Sequence, residues 1–360
     1  MIFSCDFDVT KHNAEEEIER LMKEHDLPSI SACVINNNSV VWQCAYGYSN
    51  RESQIKATRE TIYHIASISK LFIVTAFMQL EEQGIVNIDQ DINKYLPFAV
   101  RNASFPDIPI TAKMLLTHTS SLSSTKVDAD APGIWKEFQP DQAPSLSDWM
   151  PQFLSPSGTY FSPRIWKDYE PNQFELYSNV GSCLLAYIVE HMTGQDFREY
   201  CKDHIFDPLA MKNTSYYYSD LDRNNIAYLY QYDNTVHPFF DIRMHASGSA
   251  KTTINDLSNF LMAYMNGGEL DGMRILEDST IAKILTIQNS LSGRCLIWGA
   301  SFGGWIGHSG GLDAGTKTIA EIHPHTKTGF IIFCNKSPSP VDHGDEIYGL
   351  VRQKANEYIK

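Results

Sequence analysis

The sequence predicts an α/β protein of the α+β type: an antiparallel sheet flanked by N- and C-terminal helices, with a mainly helical lobe inserted. Two observations carry that reading. Strand-like runs gather at the two ends of the 360-residue chain, and helical periodicity dominates its middle. Residues 1–66 and 245–360 would form the sheet lobe and 67–244 the helical one. A cleft between the lobes is the default site.

The elements follow in order. Residues 13–25 read as an amphipathic helix, with Asn13 as cap, acids in the first turn, and Ile18, Leu21 and Met22 on one face. Ile30–Ile35 and Val40–Tyr46 read as strands joined by a hairpin at Asn36-Asn37-Asn38. From Ser67 to Gly84 the pattern is helical and apolar on nearly every side, so this helix belongs in the middle of the protein. Residues 132–171 hold seven of the 16 prolines and three of the six tryptophans, Trp135, Trp149 and Trp166. They read as a long irregular segment whose aromatics would wall the site. Tyr177–Met192 and Ile254–Asn266 are helical. Leu296–Ser301, Lys317–Ile322 and Phe330–Cys334 are strand-like, and Asp345–Ile359 closes as a helix.

Composition excludes several classes. A hydrophobic fraction of 43% with 20% charged residues is globular. A formal charge of -14 opposes nucleic-acid binding. No run reaches the roughly 18 apolar residues of a membrane span. The start carries no basic or apolar leader, so a cytoplasmic location is expected if Met1 is the natural start. The seven cysteines are scattered without a Cys-x-x-Cys, which points to buried apolar roles rather than disulfides or zinc. No metal or cofactor is expected, and His323-Pro-His325 is too sparse a ligand set.

Four motifs could carry chemistry. Ser67-Ile-Ser-Lys70 places a hydroxyl and an amine on one helix face at a helix start, where free N–H groups favour developing negative charge. The pattern is cheap, with roughly one or two chance matches expected. A second copy, Ser123 to Lys126, lies in a polar loop. Tyr-x-Asn occurs four times, and only Tyr177-Ser-Asn179 sits at a loop–helix junction. Gly307-His-Ser309-Gly-Gly311 matches a nucleophile elbow, but too little chain follows for the partners of that fold. It also contains His308-Ser309-Gly310 ahead of a strand. Lys327-Thr-Gly329 falls at a hairpin tip, where its amine would point into water.

Taken in order, Tyr63-His-Ile-Ala-Ser67-Ile-Ser-Lys70, Leu115-Leu-Thr-His118-Thr-Ser-Ser-Leu122, Tyr177-Ser-Asn179 and His308-Ser-Gly310-Gly311 strongly resemble the serine β-lactamase-related family. That family holds class C β-lactamases, D-alanyl-D-alanine carboxypeptidases, D-amino-acid peptidases and esterases, with a β-lactamase/penicillin-binding transpeptidase-like fold. The resemblance runs from about Leu27 to Asn335. It implies that Ser67 is the acylated nucleophile and that Lys70 and Tyr177 transfer the proton. It implies that Asn179 bonds the substrate amide or Lys70, that His308 and Ser309 meet substrate, and that the N–H groups of Ser67 and Gly311, beside Gly310, hold the oxyanion. Three positions depart from the pattern. Ser121 and Ala210 replace glycines, and His308 replaces a lysine. The last change points away from penicillin hydrolysis, toward a peptidase, amidase or esterase. The expected partner is a small molecule or peptide with an apolar flank. The alternatives are acyl transfer to an acceptor other than water, weak β-lactamase activity and, last, a non-enzymatic scaffold.

Overall fold

Seven strands form the main sheet: β1 (Ser29–Asn36), β2 (Ser39–Asn50), β3 (Ile55–Lys56), β4 (Gly299–Ala300), β5 (Ile306–Leu312), β6 (Thr316–His323) and β7 (Thr328–Cys334). Their order is β4-β5-β6-β7-β1-β2-β3, so the chain's two ends meet where β1 pairs antiparallel with β7. The structure is a computed structural model that describes residues 14–124, 133–290 and 293–359. Asn13 and Lys126 lie outside the described residues.

Alternation explains why β1 and β7 look apolar throughout. Side chains of a strand point to opposite faces in turn, and here both faces are covered. Ile30, Ala32, Val34, Phe330 and Ile332 meet Ile18, Leu21, Ile347 and Val351 of two helices, α1 (Ala14–Glu24) and the C-terminal Glu346–Asn356. Cys33, Ile35, Ile331 and Phe333 join the larger core of the central helices. Those helices are α2 (Lys70–Glu82), α3 (Leu146–Leu154), α4 (Asn179–Thr193) and α5 (Ile254–Met265); the C-terminal helix is α6. Every residue of α2 from Lys70 to Leu80 is buried. Ser178 caps α4 by accepting from the Gly181 N–H at 2.9 Å, and Gly194 ends it at φ 73°. Six cysteines, Cys33, Cys44, Cys183, Cys201, Cys295 and Cys334, are free and buried. Among the described residues no helix is long and apolar enough to cross a membrane.

Three expectations change. The segment from Ser67 opens as a 3-10 turn, Ala66–Ser69, before α2 begins at Lys70. Leu296–Ser301 is strand only at Gly299–Ala300. Leu296, Ile297 and Trp298 are instead fully buried, with Ile297 at φ 64° and its N–H donating to the Leu116 carbonyl at 2.7 Å. Burial among helices, not a ladder, accounts for that apolar run. Residues 132–171 contain α3, although Pro151 lies within it. Its buried face of Leu146, Trp149, Met150, Phe153 and Leu154 outweighs the proline.

Two of the departures from the family pattern now have a physical meaning. Ser121 has φ 61° and Ala210 φ 53°, the left-handed region that glycine enters freely. Ser121 recovers a bond, since Asn102 Nδ2 donates to its hydroxyl at 3.0 Å. Ala210 is exposed. Ala210→Gly should therefore stabilise the protein by about 1 kcal/mol in urea unfolding, because a Cβ at this φ costs that order of energy. An unchanged or lower midpoint would show that the turn is not strained.

Candidate active site

Ser67 stands in a turn clamped from both sides. Thr316 and Thr318 of β6 donate from their hydroxyls to the carbonyls of His64 (2.8 Å) and Ile65 (3.0 Å). The Ile65 N–H donates to the Ala250 carbonyl at 3.0 Å. Ala66 is buried at φ 46°, a costly conformation for a residue with a Cβ. The Ser69 hydroxyl, which donates to the Ala66 carbonyl at 2.6 Å, helps to hold it. The next residue, Ser67, is half-buried and faces a cleft of about 570 Å³. One helical turn on, Lys70 is fully buried. Its amine donates to Ser67 Oγ at 2.9 Å and to the Ser247 carbonyl at 2.8 Å. Among the described residues no carboxylate is bonded to it.

Tyr177 forms the opposite wall. The Lys70 amine lies 5.0 Å from its ring centroid. His118 lies against the same ring, centroids 4.5 Å apart, and accepts the Ser178 N–H on Nδ1 at 3.3 Å. Burial pushes the His118 imidazole well below its ordinary range, so it is a neutral support. The Leu176 N–H also donates to the His118 carbonyl at 2.6 Å. The Thr-His-Thr segment thus sets the position of Tyr177, a task that the sequence motif does not reveal. Tyr177 Oη is buried and has no hydrogen-bond partner among the described residues.

Strand β5 is the third wall. Gly310 approaches so closely that a Cβ there would lie 2.4 Å from the Ile65 carbonyl oxygen and 3.0 Å from the Ser67 nitrogen. Ser301 donates its N–H to the Trp305 carbonyl at 2.7 Å. By the alternation of an antiparallel ladder, Ser309 and Gly311 turn their N–H and C=O groups toward that same edge. Short β4 pairs only with Gly307 and Ile306, so it leaves the edge open beyond them. Gly311 therefore presents its N–H beside Ser67. His308 lies on the Ser67 face, its ring centroid 6.1 Å from that of Tyr177. Burial first, and then the positive field of Lys70, push its imidazole down to about 3. The ring is therefore neutral at pH 7.

The cleft is lined by Ser67, Tyr177, His308, Ser309, Gly310 and Gly311, with Arg294, Ser301, Lys317 and His343 around them. The last four were not anticipated, since isolated basic residues carry no motif. Each of the three basic ones has an acid: Arg294 bonds Glu175, Lys317 bonds Asp342, and His343 meets Glu321 at 2.7 Å. The Glu321 bond raises the His343 imidazole above its usual value. Asn179 stands on the first turn of α4, its N–H donating to Ser124 Oγ at 2.9 Å, and is not among the lining residues.

The tryptophan wall is overturned. Trp149 and Trp166 are buried in the main core, Trp135 leans on that core, and none of the three lines the cleft. Large aromatics close to prolines were sequestered by packing instead of being presented to a ligand. Among the described lining residues, Ala300 and the Tyr177 ring are the apolar surface that the expected apolar flank could meet. The elbow reading of Ser309 fails too, since Ser309 lies mid-strand in an antiparallel ladder. Lys327 is a turn residue at φ 51°, bonded to Asn266 Oδ1 at 3.1 Å and absent from the cleft.

The beta-lactamase family model matches residues 14–353, and the chain belongs to that family. It is 26% identical over 264 residues to Protein flp of Staphylococcus aureus (strain MW2), covering 71% of this chain and 50% of that protein. It is 24% identical over 332 residues to Beta-lactamase-like protein 2 of Dictyostelium discoideum, covering 86% and 56%. The chain thus spans about half the length of the curated relatives it matches. Among solved structures, the octameric penicillin-binding protein homologue from Pyrococcus abyssi matches with a TM-score of 0.74 and 24% identity, over 98% of this chain and 78% of that one. The D-alanine carboxypeptidase AmpC from Burkholderia cenocepacia matches at 0.71 and 19%, over 96% and 97%. These likenesses establish the fold.

The close approach at Gly310 has a direct consequence. Gly310→Ala should slow fluorophosphonate labelling of the protein about tenfold or more, with circular dichroism unchanged, because the added methyl pushes β5 away from Ser67. Lys327→Ala, remote and screened, should keep the rate within about twofold. Equal effects of the two would contradict the geometry.

Proposed function

We propose that this protein is a serine hydrolase that cleaves an amide or ester bond through an acyl-enzyme on Ser67. The observation that carries the reading is the 2.9 Å bond between the Lys70 amine and Ser67 Oγ, in a turn whose N–H faces the glycine edge of β5. Ser67 Oγ attacks the substrate carbonyl carbon and gives its proton to the Lys70–Tyr177 pair. The carbonyl oxygen takes the negative charge and is held by the N–H groups of Ser67 and Gly311. The pair then protonates the leaving amine or alcohol. Water attacks the ester so formed, the pair accepts its proton, and Ser67 is restored.

Membership of the beta-lactamase family supports this chemistry, and a D-alanine carboxypeptidase among the matched structures keeps peptide amides among the candidate bonds. His308, neutral where a lysine is common, favours a peptidase, amidase or esterase over a penicillin hydrolase.

Intact-mass analysis after fluorophosphonate treatment tests the proposal. One adduct is expected, mapping to Ser67 and lost in Ser67→Ala but kept in Ser123→Ala. An adduct elsewhere, or none, would overturn it. Lys70→Ala and Tyr177→Phe should each lower turnover by about 10²-fold, and the double variant should be little worse than the poorer single one. Additive losses would mean that the two act separately.

A further inference from the structure

His308 Nε2, like Tyr177 Oη and Ser301 Oγ, is a buried cleft atom with no hydrogen-bond partner among the described residues, and the mechanism leaves it unused. The ring is only 8% exposed, yet Nε2 is buried without a partner among the described residues while His308 lines the cleft. Its other nitrogen is committed: Nδ1 lies 2.6 Å from the Ser309 carbonyl. A carbonyl can only accept, so the proton is on Nδ1 and Nε2 of the neutral ring carries a lone pair. The charged groups that act on the ring are Lys70, Arg294 and His343, all basic. Tyr177, the other titratable side chain beside it, is backed by the neutral His118. Among the described residues no carboxylate lines the cleft, and nearby Glu175 is bonded to Arg294 at 2.6 Å. Among the described residues only the Ser309 carbonyl favours a second proton on His308, and burial and the basic groups outweigh it.

A buried lone pair attracts a donor and repels an anion. From this geometry we infer that His308 is a specificity-determining residue. It selects substrates that bring a neutral N–H or O–H donor, a carboxamide above all, to the side of the scissile carbonyl next to β5. This rests on the serine hydrolase reading and names its substrate class. A substrate carboxylate at that place would face the Nε2 lone pair and lose affinity. A cationic substrate group would meet the field of Lys70, Arg294 and His343. A carboxamide meets neither penalty, since its N–H donates to Nε2.

Two matched activated esters test the inference: p-nitrophenyl monoadipate, which ends in a carboxylate, and p-nitrophenyl adipamate, which ends in a carboxamide. The readout is the ratio of their kcat/KM values, with the wild-type protein and with His308→Lys. The wild-type protein should favour the amide about tenfold, the order expected when a buried polar group gains or loses its partner. His308→Lys should reverse the preference, a change that a merely structural role would not produce. A wild-type ratio near one, or in favour of the acid, overturns the inference, as does an unchanged ratio in His308→Lys. The hydrolase reading fails separately, if neither ester is cleaved and fluorophosphonate does not label Ser67. Should His308→Lys fail to fold, ¹⁵N-histidine spectra of the wild-type protein decide. An Nε2 that stays unprotonated from pH 8 to pH 5 supports the inference, and titration in that range overturns it.

Discussion

The site depends on one contact, the backbone of Gly310 lying against the turn that carries Ser67. Everything around it serves to keep two pieces of main chain closer than side chains allow. The threonine hydroxyls of β6 hold the carbonyls of residues 64 and 65 from the sheet side. On the helical side, Ile65 donates to Ala250, and Ala250 donates to the Ser69 hydroxyl at 3.2 Å. A strained Ala66 turns Ser67 outward between these clamps. The strain is of order 1–2 kcal/mol, and so many bonds around one short turn can sustain it.

Electrostatics then divides the cleft. Lys70 is buried beside Ser67 and bonded to a hydroxyl and a carbonyl, and among the described residues no acid is bonded to it. Around the rim, Arg294, Lys317 and His343 each have a carboxylate partner. In a chain of net charge -14, the described residues that line the cleft are nevertheless basic or neutral. The neutral imidazole of His308 follows from that arrangement and from its own burial. Replacing a lysine by histidine here changes a permanent cation into a hydrogen-bond acceptor, not into a weaker cation.

Much of this was legible in the sequence for local reasons. Helix and strand periodicity located β1, β2, β6, β7, α1, α2, α4, α5 and α6. The spacing of Ser67 and Lys70 forces their side chains to one face, whatever the tertiary structure. Asn37, at φ 53°, turns the hairpin where three asparagines stand in a row. What was not legible depends on long-range packing. Nothing local says that Trp149 turns inward, that Ile297 inserts between helices, or that Arg294, Lys317 and His343 converge from separate elements. The role of His118 was hidden for the same reason: its contact with Tyr177 spans about 60 residues of chain. Ser121 and Ala210 stood out as substitutions for glycine, but only their backbone angles show why glycine would suit those places.

The most direct test of the account is a crystal structure of the covalent adduct formed with an ester or lactam reagent. The account expects the adduct on Ser67 Oγ, with its carbonyl oxygen about 2.7–3.1 Å from the nitrogens of both Ser67 and Gly311. A carbonyl oxygen turned away from the β5 edge, or an adduct on another side chain, would contradict it.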